Sequence, residues 1–126
     1  MRFDKLTTPF QSAIQDAQSL ALGNDNSYIE PVHLLAALIN QEGGSARPIL
    51  QKAGARLPSL VAALQVAMNR LTKVEGTGGE ITISRDLDKL LNLTDKEASK
   101  RGDQFIASEL FLLAAVDDKG EAGRLL

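Results

Sequence analysis

The chain has 126 residues, 44% of them hydrophobic, with 14 basic against 16 acidic side chains and a formal net charge of -2. That length suits one domain able to bury its own core, and the absence of cysteine excludes disulfides, thiolate metal sites and a thiol nucleophile. The interspersed charges and 4% aromatic content argue against a nucleic-acid surface or a polybasic membrane arm; with a charged start, Met1-Arg2-Phe3-Asp4-Lys5, and no apolar run of about 18 residues, the expectation is a soluble cytoplasmic domain.

In chain order, a first helix is expected over about Thr8–Leu22. Thr7 or Thr8 can cap it and Pro9 suits its first turn. Phe10, Ala13, Ile14, Ala17 and Ala21 form one stripe at helical period, while Gln11, Gln15, Asp16 and Gln18 face away. The run Gly23-Asn24-Asp25-Asn26-Ser27 stops it. A second helix is expected from Pro31 to about Asn40, with Leu34, Leu35, Leu38 and Ile39 inward. After the turn Gly43-Gly44-Ser45, a short third helix covers about Ala46–Ala53, ended by Gly54. A fourth runs from Pro58 to about Leu71, with Leu57, Leu60, Val61, Leu64, Met68 and Leu71 in register. Residues 72–84 form the longest irregular stretch, where Ile81-Thr82-Ile83 can be extended. A fifth helix is expected over Arg85–Lys100, capped by Ser84 and stopped by Gly102. A sixth covers Ser108–Val116, and a seventh begins near Glu121.

The chain repeats itself at a spacing of 77 residues, which carries Ile29 onto Ile106. At that spacing Leu35 meets Leu112 and Ala37 meets Ala114. Upstream, Leu6, Phe10, Ala13, Ile14, Ala17 and Ala21 meet Ile83, Leu87, Leu90, Leu91, Thr94 and Ala98; downstream, Gly43 meets Gly120 and Arg47 meets Arg124. A repeated helical unit predicts an all-α domain of two pseudo-two-fold related four-helix repeats. Repeat one spans about 1–71, the seam about 72–84 and repeat two about 85–126. The second repeat has room for only two helices and part of a third, so the natural domain is expected to continue beyond Leu126.

Several separated motifs, in order, carry a resemblance: Met1-Arg2-Phe3-Asp4-Lys5-Leu6-Thr7, Asp16-Ala17-Gln18-Ser19-Leu20-Ala21-Leu22-Gly23, Ile29-Glu30-Pro31-Val32-His33-Leu34-Leu35, Gln41-Glu42-Gly43-Gly44-Ser45, Val74-Glu75-Gly76-Thr77-Gly78-Gly79 and Lys100-Arg101-Gly102-Asp103. Together they resemble the Clp N-terminal domain, in its ClpB-type disaggregase form rather than its ClpA or ClpC form. The resemblance implies a non-catalytic module of a hexameric ATPase that works with the DnaK system. The module itself is expected to be a monomer that contacts unfolded or aggregated client proteins. It implies no cofactor within this domain, because ATP and Mg²⁺ belong to the ATPase modules. The alternative is an adaptor-docking domain of a ClpA- or ClpC-type protease ATPase.

The residues themselves offer little chemistry. Gly76-Thr77-Gly78-Gly79 is followed by Glu80, whereas a phosphate loop needs a lysine and a hydroxyl there. His33, the single histidine, lacks ligand partners and is expected to be structural. The pairs Asp86/Asp88 and Asp117/Asp118 point apart on a helix and belong to solvated faces. No convergent catalytic set is evident. Differences between the copies are more informative: Asp16 is answered by Leu93, and His33 by Leu110. Leu93 lies off the buried stripe. Leu91, Leu93 and Leu110 either form an exposed apolar patch or pack against helices beyond the chain, and pattern alone leaves both open. The resemblance favours the patch, and it implies polar client contacts at Thr7, Asp103 and Glu109. The same three have structural roles open to them, as a helix cap, a turn residue and a partner of the helix dipole. Ala107 stands where many relatives carry a second serine.

Overall fold

A computed structural model describes residues 2–74, 81–116, 123 and 125. The expected seventh helix near Glu121, the Gly76–Gly79 run and the Asp117/Asp118 pair fall outside the described residues, as do the matches at Gly120 and Arg124. Within them the chain forms α1 (Thr8–Gly23), β1 (Tyr28–Ile29), α2 (Pro31–Asn40), α3 (Ala46–Lys52), α4 (Leu57–Asn69), β2 (Thr82–Ile83), α5 (Arg85–Arg101) and α6 (Ser108–Val116), with a short 3-10 turn over Phe3–Lys5. Local chemistry accounts for the boundaries. Proline stands in the first turn of α1, α2 and α4, where its missing N–H is no loss. Ser84 Oγ accepts a hydrogen bond from Leu87 N at 3.1 Å and caps α5. Gly102, at φ 74°, ends that helix in the left-handed region.

The repeat predicted from sequence is built into the backbone, and the two copies exchange partners. Leu6 bridges Ile106 in parallel. Its counterpart Ile83 pairs in parallel with Ile29, the counterpart of Ile106. Thr7 N donates to Ile106 O at 3.0 Å, and Ser84 N, at the matching place, donates to Ile29 O at 3.0 Å. Each copy therefore delivers the segment before its first helix to the segment before the other copy's second helix. The N-terminus is fastened once more across the copies by Arg2, whose guanidinium lies 2.6 Å from Asp95 and also donates to Ser99 Oγ. That guanidinium, by hydrogen bond above all, holds the Asp95 carboxyl below the usual carboxylate range.

Both predicted stripes line one core. Phe10, Ala13, Ala17 and Ala21 of α1 and Leu87, Leu90, Leu91, Thr94 and Ala98 of α5 are all buried, and the rings of Phe10 and Phe111 lie 6.0 Å apart. Helix α2 runs through the middle. Every residue from Pro31 to Ile39 is buried, as a helix apolar on all faces requires. Helix α4 corrects the sequence reading at one position: Val61 is 40% exposed. It packs chiefly on α2 and α3, so only the narrow stripe of Leu60, Leu64, Ala67 and Met68 turns inward.

A buried polar network secures the first copy's loop. His33 Nδ1 accepts from Glu30 N at 2.8 Å, so Nε2 carries the proton and donates to Asn26 Oδ1 at 2.8 Å. Asn26 Oδ1 also accepts from Asn24, and Asn26 Nδ2 donates to Thr72 O at 3.3 Å. Asn24 Nδ2 reaches Met68 O at 3.0 Å. The chain entering the seam is thereby tied to the ends of α1 and α4. Burial disfavours the imidazolium and pulls the His33 pKa down to about 4. The expectation that His33 is structural agrees with this geometry.

Candidate functional site

A groove of about 580 Å³ opens where α1 and α6 begin and the turn before α3 crosses them, lined by Thr7, Ser12, Gln41–Ser45 and Ala107–Glu109 among others. Each wall has a local cause. Thr7 is extended, at φ -63° and ψ 155°, because its N–H is committed to Ile106 and its carbonyl accepts the first bond of α1 from Gln11 N. Its side chain makes no capping bond, unlike Ser84 at the matching place. Thr7 thus lines the groove without its side chain closing its own helix. The turn is held down by Gln41 Nε2, which donates to Pro9 O at 2.8 Å. Gly43 supplies a left-handed φ of 68° there. At Gly44 a Cβ would come within 3.0 Å of the Gln41 side chain and 3.3 Å of its carbonyl. Glu109 is exposed in the first turn of α6, where the helix dipole favours a carboxylate, and Glu42 brings a second acid from the opposite wall.

The structure brings Thr7 and Glu109 together and separates the other predicted residues. Leu91 is fully buried and Leu110 only 9% exposed. Both belong to the core beneath α5 and α6, which corrects the expectation that they supply surface contacts. The reason is the repeat itself: Leu91 matches Ile14 on the α1 stripe, and Leu110 matches His33 in the fully buried α2. Leu93 is 45% exposed, as its place off the stripe predicted, but it is not among the residues lining the groove. Asp103 is exposed after Gly102, its N–H closing the helix on Ala98 O at 2.9 Å; it too is absent from the groove lining.

Sequence reasoning missed the Gln41–Ser45 wall, although the Gly43-Gly44 turn signalled a fixed bend there. It also missed Phe3 and Phe105, which are exposed. Their segments run side by side, since Ile106 N donates to Lys5 O at 2.7 Å. Among the described residues no three acidic or histidine side chains gather as a metal site would require, and no helix is long and apolar enough to cross a membrane.

Comparison with known proteins decides the family. The profile of the Clp repeat N-terminal domain matches residues 5–126. The chain belongs to the Clp repeat N-terminal domain family. Over its whole length this Clp domain is 51% identical to the chaperone protein ClpB of Vibrio cholerae, and it is 48% identical to that of Pseudomonas putida. It spans 15% of the length of each. The fold agrees with that of the Hsp104 N-terminal domain from Candida albicans, at a TM-score of 0.85 and 21% identity over 96% of this chain and 79% of that one. It also agrees with the N-domain of ClpV from Vibrio cholerae, at a TM-score of 0.78 and 21% identity over 90% and 67% of the respective chains. The two-repeat all-α architecture read from the sequence is the one these domains share.

Proposed function

We propose that this Clp domain is the client-contacting module of a ClpB-like disaggregase, binding exposed segments of unfolded or aggregated proteins in the groove between Thr7 and Glu109. Identity of 51% along the whole of this chain to the matching 15% of a ClpB chaperone carries the reading. The groove supplies a physical means. Its hydroxyls can hydrogen-bond an extended backbone, and Glu42 and Glu109 favour segments with basic residues. Outside the groove lining, the exposed Phe3, Leu93 and Phe105 can add apolar contact, and Asp103 stands two residues before Phe105. Affinity should be weak, because ordering a flexible chain opposes binding, and a weak, sequence-tolerant grip suits a protein that handles many clients. In this reading the parent protein is a cytoplasmic homohexamer acting with the DnaK system, its ATP and Mg²⁺ are held by the ATPase modules, and this domain is a non-catalytic monomer.

The test is fluorescence anisotropy of a labelled, permanently unfolded polypeptide against the wild-type domain and the double variant Thr7→Ala/Glu109→Gln. The reading expects severalfold weaker binding by the variant at unchanged melting temperature, and little binding of the folded form of the same polypeptide. Unchanged affinity in the folded variant would remove the groove. Tight capture of one folded adaptor, with no response to unfolded chains, would instead make this the docking domain of a protease ATPase.

A further inference from the structure

A second cavity, of about 240 Å³, lies on the first copy away from the Thr7–Glu109 groove. It is lined by Asn26, Ser27, Tyr28, Glu30, Leu71 and Thr72. Three observations give it a chemical character. First, Glu30 Oε1 is shut off from water and has no hydrogen-bond partner, an expensive state for a carboxylate oxygen. Second, the buried amide in the same lining, Asn26, is already committed. Asn26 gives Oδ1 to His33 and Asn24, and donates Nδ2 to Thr72 O. The Glu30 side chain also takes part in a capping box with His33 at the start of α2, which still leaves Oε1 without a donor, and a group entering the cavity can supply one. Third, Tyr28, itself 54% exposed, and Leu71 bring aromatic and aliphatic surface to the lining.

We propose that this pocket takes the lysine or arginine side chain of an extended polypeptide, with the cationic head on the Glu30 carboxylate and the stem between Tyr28 and Leu71. Only a cation brings both the missing donor and the opposite charge. An aromatic face at the entrance suits such a head, and an aliphatic wall suits the stem behind it. The last torsion of a glutamate is soft, so the carboxylate can turn to meet a donor entering past the ring. The arrangement is particular to the first copy: 77 residues on, Tyr28 becomes Phe105 but Glu30 becomes Ala107. Lys73, whose backbone bridges Asn26, brings one like charge to this end of the molecule.

The source of the side chain rests on the client reading above; the pocket's preference for a cation does not. The experiment is an amide NMR titration of this chain with an unstructured glycine-serine peptide carrying one central lysine, and with the same peptide carrying norleucine. The lysine peptide should shift the amides of Ser27, Tyr28, Glu30 and Thr72, and the norleucine peptide should leave them in place. Glu30→Gln should weaken the lysine response by about tenfold or more, the scale of a lost charge-assisted hydrogen bond. Tyr28→Ala should weaken it severalfold, and Lys73→Ala should strengthen it. Equal shifts with norleucine, no shifts with either peptide, or an unchanged Glu30→Gln response in a folded protein would overturn the proposal. Amides of Thr7 and Glu109, followed in a parallel titration with unfolded protein, report on the groove separately, so either site can fail alone.

Discussion

The two copies of the repeat put opposite things at the same place. In the first copy, the loop after α1 buries Asn26 against His33 and locks the chain into a polar network. In the second, the matching positions hold Asp103, which is exposed, and Leu110, which is core. One step earlier the copies change places: Ser84 of the second copy spends its side chain on capping α5, whereas Thr7 of the first makes no capping bond, so the Ile29–Ser84 junction is the closed one and the Thr7–Ile106 junction the open one. A duplicated fold can thus keep one junction for stability and leave the other's polar groups at the surface. The helices that follow differ as well. Ala36 and Ile39 of α2 are buried, while their counterparts Leu113 and Val116 of α6 are about half exposed.

The widest gap should appear between Leu91 and Leu93, two residues apart on α5. Leu91→Ala empties a fully buried site and should lower stability by about 2–5 kcal/mol, whereas Leu93→Ala should stay within about 0.5 kcal/mol. Urea denaturation of both variants measures the difference. Next comes His33→Leu, which writes the second copy's residue into the first. It leaves Glu30 N without its side-chain partner and Asn26 Oδ1 with Asn24 alone, and should destabilise by about 1–3 kcal/mol. Asp103→Asn, at the copy-two position that matches Asn26, should be nearly neutral.

His33 also sharpens the comparison through pH. Its pKa is about 4 in the folded chain against an ordinary 6.5, so the unfolded chain binds the proton first. Stability should be complete above pH 6.5 and should decline as pH falls from there towards 4. Thermal melts across that range should show the slope in the wild type and a flatter profile in His33→Leu. The Asp95 carboxyl, depressed by Arg2, acts in the other window: its contribution is present above the ordinary carboxylate range and is lost only at still lower pH. The smallest effect expected is on Thr7 itself. Thr7→Ala should hardly move stability, since no cap is lost, yet it should weaken client binding a few fold.

Much of this architecture is legible in the sequence because the repeat is written in spaced apolar residues. Phe10 and Leu87, Ala21 and Ala98 predicted matching faces, and the burial agrees. Helices α2 and α6 have the expected limits because Pro31 and Ser108 start them. The site was less legible. Leu91, Leu93 and Leu110 are alike as residue types; the repeat separates Leu91, on the stripe, from Leu93, off it, but Leu110 answers a lone histidine whose burial only the structure supplies. The Gln41–Ser45 wall is a matter of where a turn lands, which no local pattern encodes. The exchange of strands between copies, Leu6 to Ile106 and Ile29 to Ile83, joins segments far apart in sequence. Local patterning had no means of finding it, and it is what positions Thr7 beside the start of α6.

The most direct test of the central claim is an amide NMR titration of this chain with a permanently unfolded protein, repeated with that protein in its folded form. The account predicts shifts at Thr7, Ser45, Ser108 and Glu109 with the unfolded form alone, and none at the buried Leu91. Shifts of equal size with the folded form, or a silent groove at saturating unfolded protein, would contradict it.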